Sequence, residues 1–263
     1  MSTGERGRTI ELSVPRRIMT DLMRFAAAVP TVPALRRMNV SAVMAARRVS
    51  PLNQSWSAIF AKAYALVARE RPELRRIFFS FPRERCVEFP QSTASVAIEI
   101  NYNGEPAVFP CVIGDPASLS LVEISERIRM AVEAPEQHIA NFQRYVVMSS
   151  LPWFIRRWGL SAMFNMPDYR ATHMGTFALT AVANLGTDLI HPLSAWPTLL
   201  TYGVFSPDGT TDVRIIFDHR VLDGCTVARA LARLEEVLNG PIIEELQGDG
   251  SAAQVHARAV SAI

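Results

Sequence analysis

Apolar residues recur along this chain with two different periods, and the change from one to the other marks the elements. Ile59, Phe60, Ala63, Leu66 and Val67 share one stripe at helical spacing, which predicts an amphipathic helix from Ser55 to Glu70, stopped by Pro72. Leu121, Ile124, Ile128 and Ala131 repeat that pattern behind a cap at Ser118 or Ser120. Val227, Leu231, Leu234 and Leu238 repeat it again in a helix from about Thr226, ended by Asn239-Gly240-Pro241. Two shorter helices are expected over Arg16–Ala28, opened by Pro15, and over Ser41–Arg48, capped by Asn39 or Ser41.

The period of two is clearest where Val96, Ile98 and Ile100 alternate with Ala97 and Glu99, a half-buried strand. The turn Asn103-Gly104-Glu105 then leads into Ala107–Ile113 as the second arm of a hairpin. Strands are also expected at Thr9–Val14, Ile77–Phe79, Gly175–Val182, Leu199–Phe205 and Asp212–Phe217, the last two joined through Pro207-Asp208-Gly209. Helices and strands mix without βαβ regularity. That argues for an α/β fold with a mixed, mostly antiparallel sheet and flanking helices. One domain is expected over 1–263, with its core from about 9 to 240 and a loosely ordered tail over 241–263.

Composition narrows the function classes. The 263 residues are 49% hydrophobic and 20% charged, enough apolar material for a full core and too much for a disordered chain. The 27 Lys and Arg are matched by 25 Asp and Glu, which removes the electrostatic footprint of a nucleic-acid binder. The uncharged run Leu189–Pro207 is long enough to span a membrane, but Pro192, Pro197 and Gly203 break it, so it reads as a loop and a buried strand. The polar start of the chain has no signal-peptide h-region, and Cys86, Cys111 and Cys225 lie far apart with no CxxC pair. A cytoplasmic, reducing location follows as the expectation. No phosphate loop occurs, and His138, His173, His191 and His256 have no metal-ligand spacing, so neither a metal nor a permanently bound cofactor is expected.

The segment Ile216 to Gly224 carries the candidate chemistry. A strand delivers His219, Asp223 and Gly224 follow, and a helix begins. An imidazole on a rigid element can take a proton from a thiol or hydroxyl near neutral pH. Asp223 can order the turn, and Gly224 allows close approach or positive φ. The plainer alternative is an Asp-capped helix after a strand, with His219 a satisfied, partly buried histidine.

Asp218-His219-Arg220-Val221-Leu222-Asp223-Gly224 closely resembles the DHRxxDG signature of the catalytic domain of dihydrolipoyl acyltransferases from 2-oxoacid dehydrogenase complexes, whose HxxxDG core is shared with chloramphenicol acetyltransferase. Other segments agree in order: Arg16-Arg17-Ile18-Met19, then Trp56–Arg69 with Pro72-Glu73-Leu74, then Ala97–Val112 with Ser118–Ile128. The resemblance spans roughly Arg16 to Leu238. It implies a chloramphenicol-acetyltransferase-like two-layer sandwich and acyl transfer between a coenzyme A thioester and a thiol, hydroxyl or amine acceptor, either a small molecule or carrier-bound. His219 would be the general base. Asp223 would hold the loop, paired with Arg16 or Arg17. The active site would lie at a subunit boundary of a homotrimer.

Three departures qualify this. The hydroxyl that stabilises the oxyanion in the family's TISNLG-like strand falls on Ala183 in Ala181-Val182-Ala183-Asn184-Leu185-Gly186, which leaves Thr180 as the replacement donor if the register shifts. No lipoyl attachment site, linker or subunit-binding domain is visible, and the tail after Gly240 lacks the hydrophobic plug of a large cubic core. Finally, Pro135–Met174 is longer than the family's connection and contains Leu151-Pro152-Trp153-Phe154-Ile155-Arg156-Arg157-Trp158. That run reads as a lid over an acyl pocket, as a membrane-surface helix, or as a helix packing Trp153, Phe154 and Trp158 into the core or a subunit interface. The missing hydroxyl also admits a second function, a catalytically weak scaffold that keeps the fold.

Overall fold

The computed structural model describes residues 7–50, 54–139 and 142–248. In chain order its elements are α1 (Val14–Ala27), β1 (Thr31–Asn39), α2 (Ser41–Val49), α3 (Trp56–Glu70), β2 (Arg76–Phe79), β3 (Arg85–Glu88), β4 (Thr93–Tyr102), β5 (Glu105–Gly114), α4 (Leu121–Glu133), α5 (Pro135–His138), α6 (Phe142–Ser150), α7 (Trp153–Phe164), α8 (Pro167–His173), β6 (Phe177–Leu179), β7 (Thr198–Tyr202), β8 (Thr210–Asp218) and α9 (Gly224–Leu238).

Six strands form one mixed sheet in the order β1-β8-β7-β6-β4-β5, and β2 and β3 form a separate two-stranded sheet. Pairing is antiparallel at β1/β8, β8/β7 and β4/β5 and parallel where β6 sits between β4 and β7. The β4–β5 hairpin turns at Asn103 and Gly104, both at positive φ, as a two-residue turn with the right twist requires. Gly209, at φ 81, closes the β7–β8 connection where a Cβ would collide with Ser41.

One face of the sheet is packed solid. Val96, Phe177, Leu179, Ile215 and Phe217 meet α3, α4 and α9 in the main core. Helix α3 is buried almost all round, opened by the Ser55 hydroxyl accepting from the Ala58 amide. Helix α4 starts with a full capping box between Ser120 and Glu123. The four predicted inward residues of α9 are all buried. On the opposite face Ala178, Leu199 and Ile216 gather around Trp196. That ring also joins a second cluster, made by Ala26, Phe164, Met174 and Ala195.

Four expectations are corrected. Residues Thr9–Ser13 form no strand: no neighbour pairs with them, Ile10 and Leu12 stay exposed, and α1 begins at Val14. The strand expected over Gly175–Val182 shortens to Phe177–Leu179, because Gly175 at φ 94 delays its start and the chain turns into a 3-10 turn at Ala183–Leu185. The segment 241–248 is helical rather than loose. Ile242 and Leu246 are buried, the Glu245 carboxylate pairs with Lys62, and it accepts from the Leu121 amide. The rest of the expected tail, with His256, lies outside the described residues. Lastly, α7 turns its aromatic side outward: Trp153, Phe154 and Trp158 are exposed, while Arg156, Leu160 and Phe164 are buried. Those three aromatics are therefore not core residues of this chain.

Candidate active site

Strand β8, between the edge strand β1 and β7, delivers His219 at its end. The strand alternates, so Asp218 faces the same way as Ile216 and is buried. Its carboxylate accepts from the backbone amide of Arg220 at 3.0 Å and from that residue's guanidinium at 2.8 Å, and the guanidinium lies 4.3 Å over the Phe78 ring. The Asp218 carbonyl accepts from the amides of Val221 and Leu222, closing the turn. The ordering role expected of Asp223 is thus performed by Asp218.

The His219 amide donates to the Pro30 carbonyl, which ties the turn to the start of β1. Its side chain is half exposed. Nδ1 stands 3.9 Å from the Asp223 carboxylate, an ionic neighbour beyond hydrogen-bond reach. Asp223 occupies the N-cap of α9 without a side-chain cap bond, and its carboxylate is largely open to solvent. The expected pairing of Asp223 with Arg16 or Arg17 is not formed within the chain: Arg17 Nε instead donates to the Leu12 carbonyl at 2.8 Å. Gly224 adopts no positive φ, and a Cβ there would meet nothing within 4 Å, so it starts the helix without being sterically required. Cys225 is exposed beside it, whereas burial pushes the Cys111 thiol up to about 11.

Thr180 and Ala183 separate clearly. The Thr180 amide continues the ladder by donating to the Leu200 carbonyl, and its side chain lines a cavity of about 230 Å³. Ala183 sits in the 3-10 turn and packs against the main core instead. The cavity lies between the less packed face of the sheet and the helices over it, lined by Met19 and Leu22 of α1, Met148 of α6, Leu160 of α7 and Ala178 of β6. Its lining is almost wholly apolar. Tyr145 also borders it, and burial raises that phenol to about 12.

A buried ionic cluster holds the helices over this cavity. Asp21 of α1 accepts from Arg156 Nε and, at 3.4 Å, from Arg157 Nε. Arg156 also donates to the carbonyls of Ser149 and Leu151, so its guanidinium joins α1 to the α6–α7 connection. Arg170 of α8 is a second tie. It lies between the rings of Phe79 and Phe164 and donates to the Ala195 carbonyl at 2.8 Å, and burial pulls its pKa down to about 10. Sequence reasoning found neither tie. An aspartate on an otherwise amphipathic helix gives no signal until its partner, 135 positions away, is brought beside it.

His219 and Asp223 do not border the cavity that reaches Thr180. Within one chain the candidate base stands outside the cavity that the candidate oxyanion hydroxyl lines. Among the described residues no group of three or more His, Cys, Asp or Glu could hold a metal, and no helix is long and apolar enough to cross a membrane.

The fold is found in solved structures. The structure is similar to a probable dihydrolipoamide acetyltransferase from Listeria monocytogenes, at 16% identity and a TM-score of 0.65 over 90% of this chain and 95% of that one. It is similar to the dihydrolipoamide acetyltransferase of Azotobacter vinelandii at 15% identity and a TM-score of 0.65, covering 89% and 93%. It is also similar to chloramphenicol acetyltransferase, at 16% identity and a TM-score of 0.51, covering 84% and 94%. No protein-family model matches the sequence, and no curated protein matches it. The fold is that of the acyltransferase catalytic cores. In particular, the chain has the mixed six-stranded sheet with flanking helices that the sequence led one to expect.

Proposed function

We propose that this protein is an acyltransferase that moves an acyl group between a coenzyme A thioester and a thiol, hydroxyl or amine acceptor, with His219 as general base. One observation carries the reading: a solvent-accessible imidazole, on a turn braced by the buried Asp218–Arg220 pair, within the DHRxxDG signature of an acyltransferase fold. In the Azotobacter enzyme a serine, a histidine and an asparagine four positions beyond the histidine were investigated for roles in the catalytic mechanism. His219 and Asp223 have that same spacing here.

In the step so assigned, the imidazole takes the proton from the acceptor as the acceptor attacks the thioester carbonyl. The tetrahedral oxyanion collapses, the carbon–sulfur bond breaks, and the coenzyme A thiolate leaves and regains the proton from the imidazolium. Thr180 is the hydroxyl available to the oxyanion, since Ala183 cannot donate. Because His219 does not border the cavity at Thr180, the site needs association to be complete. A homotrimer in which one copy's His219 faces the partner's cavity supplies both halves. Arg17 and Asp223 then act as supports, with their charges free for pairing across a boundary.

The test is a panel of acyl-coenzyme A thioesters assayed for thiol release, wild type against His219→Ala. The variant should lose about a hundred- to ten-thousandfold in rate while remaining folded and keeping a light-scattering mass three times that of one chain. An undiminished rate in the folded variant overturns the reading. No release by wild type with any thioester favours the second one, a scaffold subunit, which the alanine at the hydroxyl position supports.

A further inference from the structure

We infer that the cavity under α1 and α7 is the pocket for an uncharged aliphatic acyl chain of medium length, which enters past Thr180. This inference rests on the acyl-transfer reading for the source of the chain, and on the cavity itself for its chemistry.

Size comes first. The cavity holds about 230 Å³. That exceeds the roughly 150 Å³ that takes one benzene ring and falls short of the roughly 300 Å³ where drug-sized pockets begin. An acetyl group would leave it nearly empty, and an alkyl tail would fill it.

Lining decides shape. Met19, Met23, Met148 and Met174 all border the cavity, four of the ten methionines of the chain. Unbranched, polarizable thioethers re-pack around ligands of varied shape, a flexible alkyl chain among them. Trp196 adds an apolar ring, since its Nε1 is already committed to the Met174 carbonyl at 2.6 Å.

Charge decides the tail. Among the described residues Arg156 is the one charged residue on the wall. Its charge is already balanced by the buried Asp21 carboxylate, and its Nε and Nη1 donors are taken by Asp21 and by the Ser149 and Leu151 carbonyls. A tail ending in a carboxylate would have to compete with Asp21 for that guanidinium, inside an otherwise apolar lining that disfavours burying a second charge.

The same ties explain why the space persists. The Asp21–Arg156 pair joins α1 to the α6–α7 connection, and the Arg170 guanidinium is wedged between Phe79 and Phe164. The helices are thereby held off the sheet face rather than settling onto it.

The experiment uses the full chain labelled with ¹³C at its methionine methyls, titrated with S-acyl-N-acetylcysteamine thioesters of increasing length. The signals of Met19, Met23, Met148 and Met174 should shift with the octanoyl thioester and stay in place with the acetyl one. Affinity should rise about fourfold for each added methylene and then level off once the cavity is full. The analogue of octanoyl length that ends in a carboxylate should bind no better than acetyl. Equal binding of acetyl and octanoyl probes overturns the inference, and so do shifts confined to methionines outside the cavity, such as Met38 or Met44. Ala97→Phe, which projects a ring into the space, should remove the length dependence; if that variant does not fold, the titration of the unaltered chain decides alone. Length-dependent binding without turnover of any thioester would overturn the acyltransferase reading and leave the pocket standing. Turnover with no length dependence would do the reverse.

Discussion

The two faces of the six-stranded sheet are built on opposite terms. On one, Phe60, Tyr64 and Ile59 of α3 lie fully buried against Phe177, Phe217 and the inward side of α9. Helical stripes and strand alternation meet there, and those side chains are packed fully inside the core. On the other, α1 and α6–α8 are tied down by an aspartate, three arginines and a few aromatic stacks, and a hollow remains beneath them. The same strands contribute to both. The difference shows that a face keeps a cavity when its covering helices are held by polar ties instead of by close packing.

Truncation tests that contrast most strongly. Phe60→Ala should cost about 3–5 kcal/mol in urea denaturation, because the ring stacks 4.4 Å from Tyr202 in a fully packed core. Leu160→Ala, at the cavity wall, should cost only about 1–2 kcal/mol, since a side chain facing empty space has fewer partners to lose. Equal costs would mean that the hollow is packed in solution, and the contrast would fall.

Breaking the ionic tie should come next. Asp21→Ala leaves the Arg156 guanidinium buried without its carboxylate and should cost about 3 kcal/mol. Hydrogen exchange locates the effect: amides of α1 and α7 should lose protection while those of α3 keep theirs. Uniform loss across both faces would show that the helices over the cavity are part of one cooperative unit with the core.

The smallest effect belongs to the packed face. Ser120→Ala removes the cap of α4 and should lower stability by about 1 kcal/mol. Acceptance from the Ser120 amide and hydroxyl holds the Glu123 carboxyl below the usual carboxylate range. A depressed carboxylate stabilises the folded state above its unfolded pKa, and that gain is lost as pH falls through the folded value. The gap between wild type and variant should therefore narrow in acid; a gap that widens would assign the cap a different chemistry.

The residues that announce themselves in the sequence are those whose neighbours are local. Helices α3, α4 and α9, the β4–β5 hairpin and the strand leading to His219 were legible because period, cap and turn all lie within one element. Strand β1 was not: Pro33 and the Arg36-Arg37 pair break its alternation, and only an edge position beside β8 makes them acceptable. The thin packing of the second face was equally hidden.

The signature around His219 marked a candidate site from sequence alone, because a strand, a histidine and a helix start follow one another within nine residues, Ile216 to Gly224. Which residue steadies that turn was a tertiary matter. Asp218 took the role because alternation buried it beside Arg220 and Phe78, while Asp223 was left in solvent. The outward aromatic side of α7 was decided in the same way. A helix with arginines and tryptophans on adjacent faces can present either one, and Asp21, brought from the other end of the chain, drew Arg156 inward and turned Trp153 and Trp158 out. Periodicity is a property of neighbours along the chain; the choice of which face is buried belongs to neighbours in space.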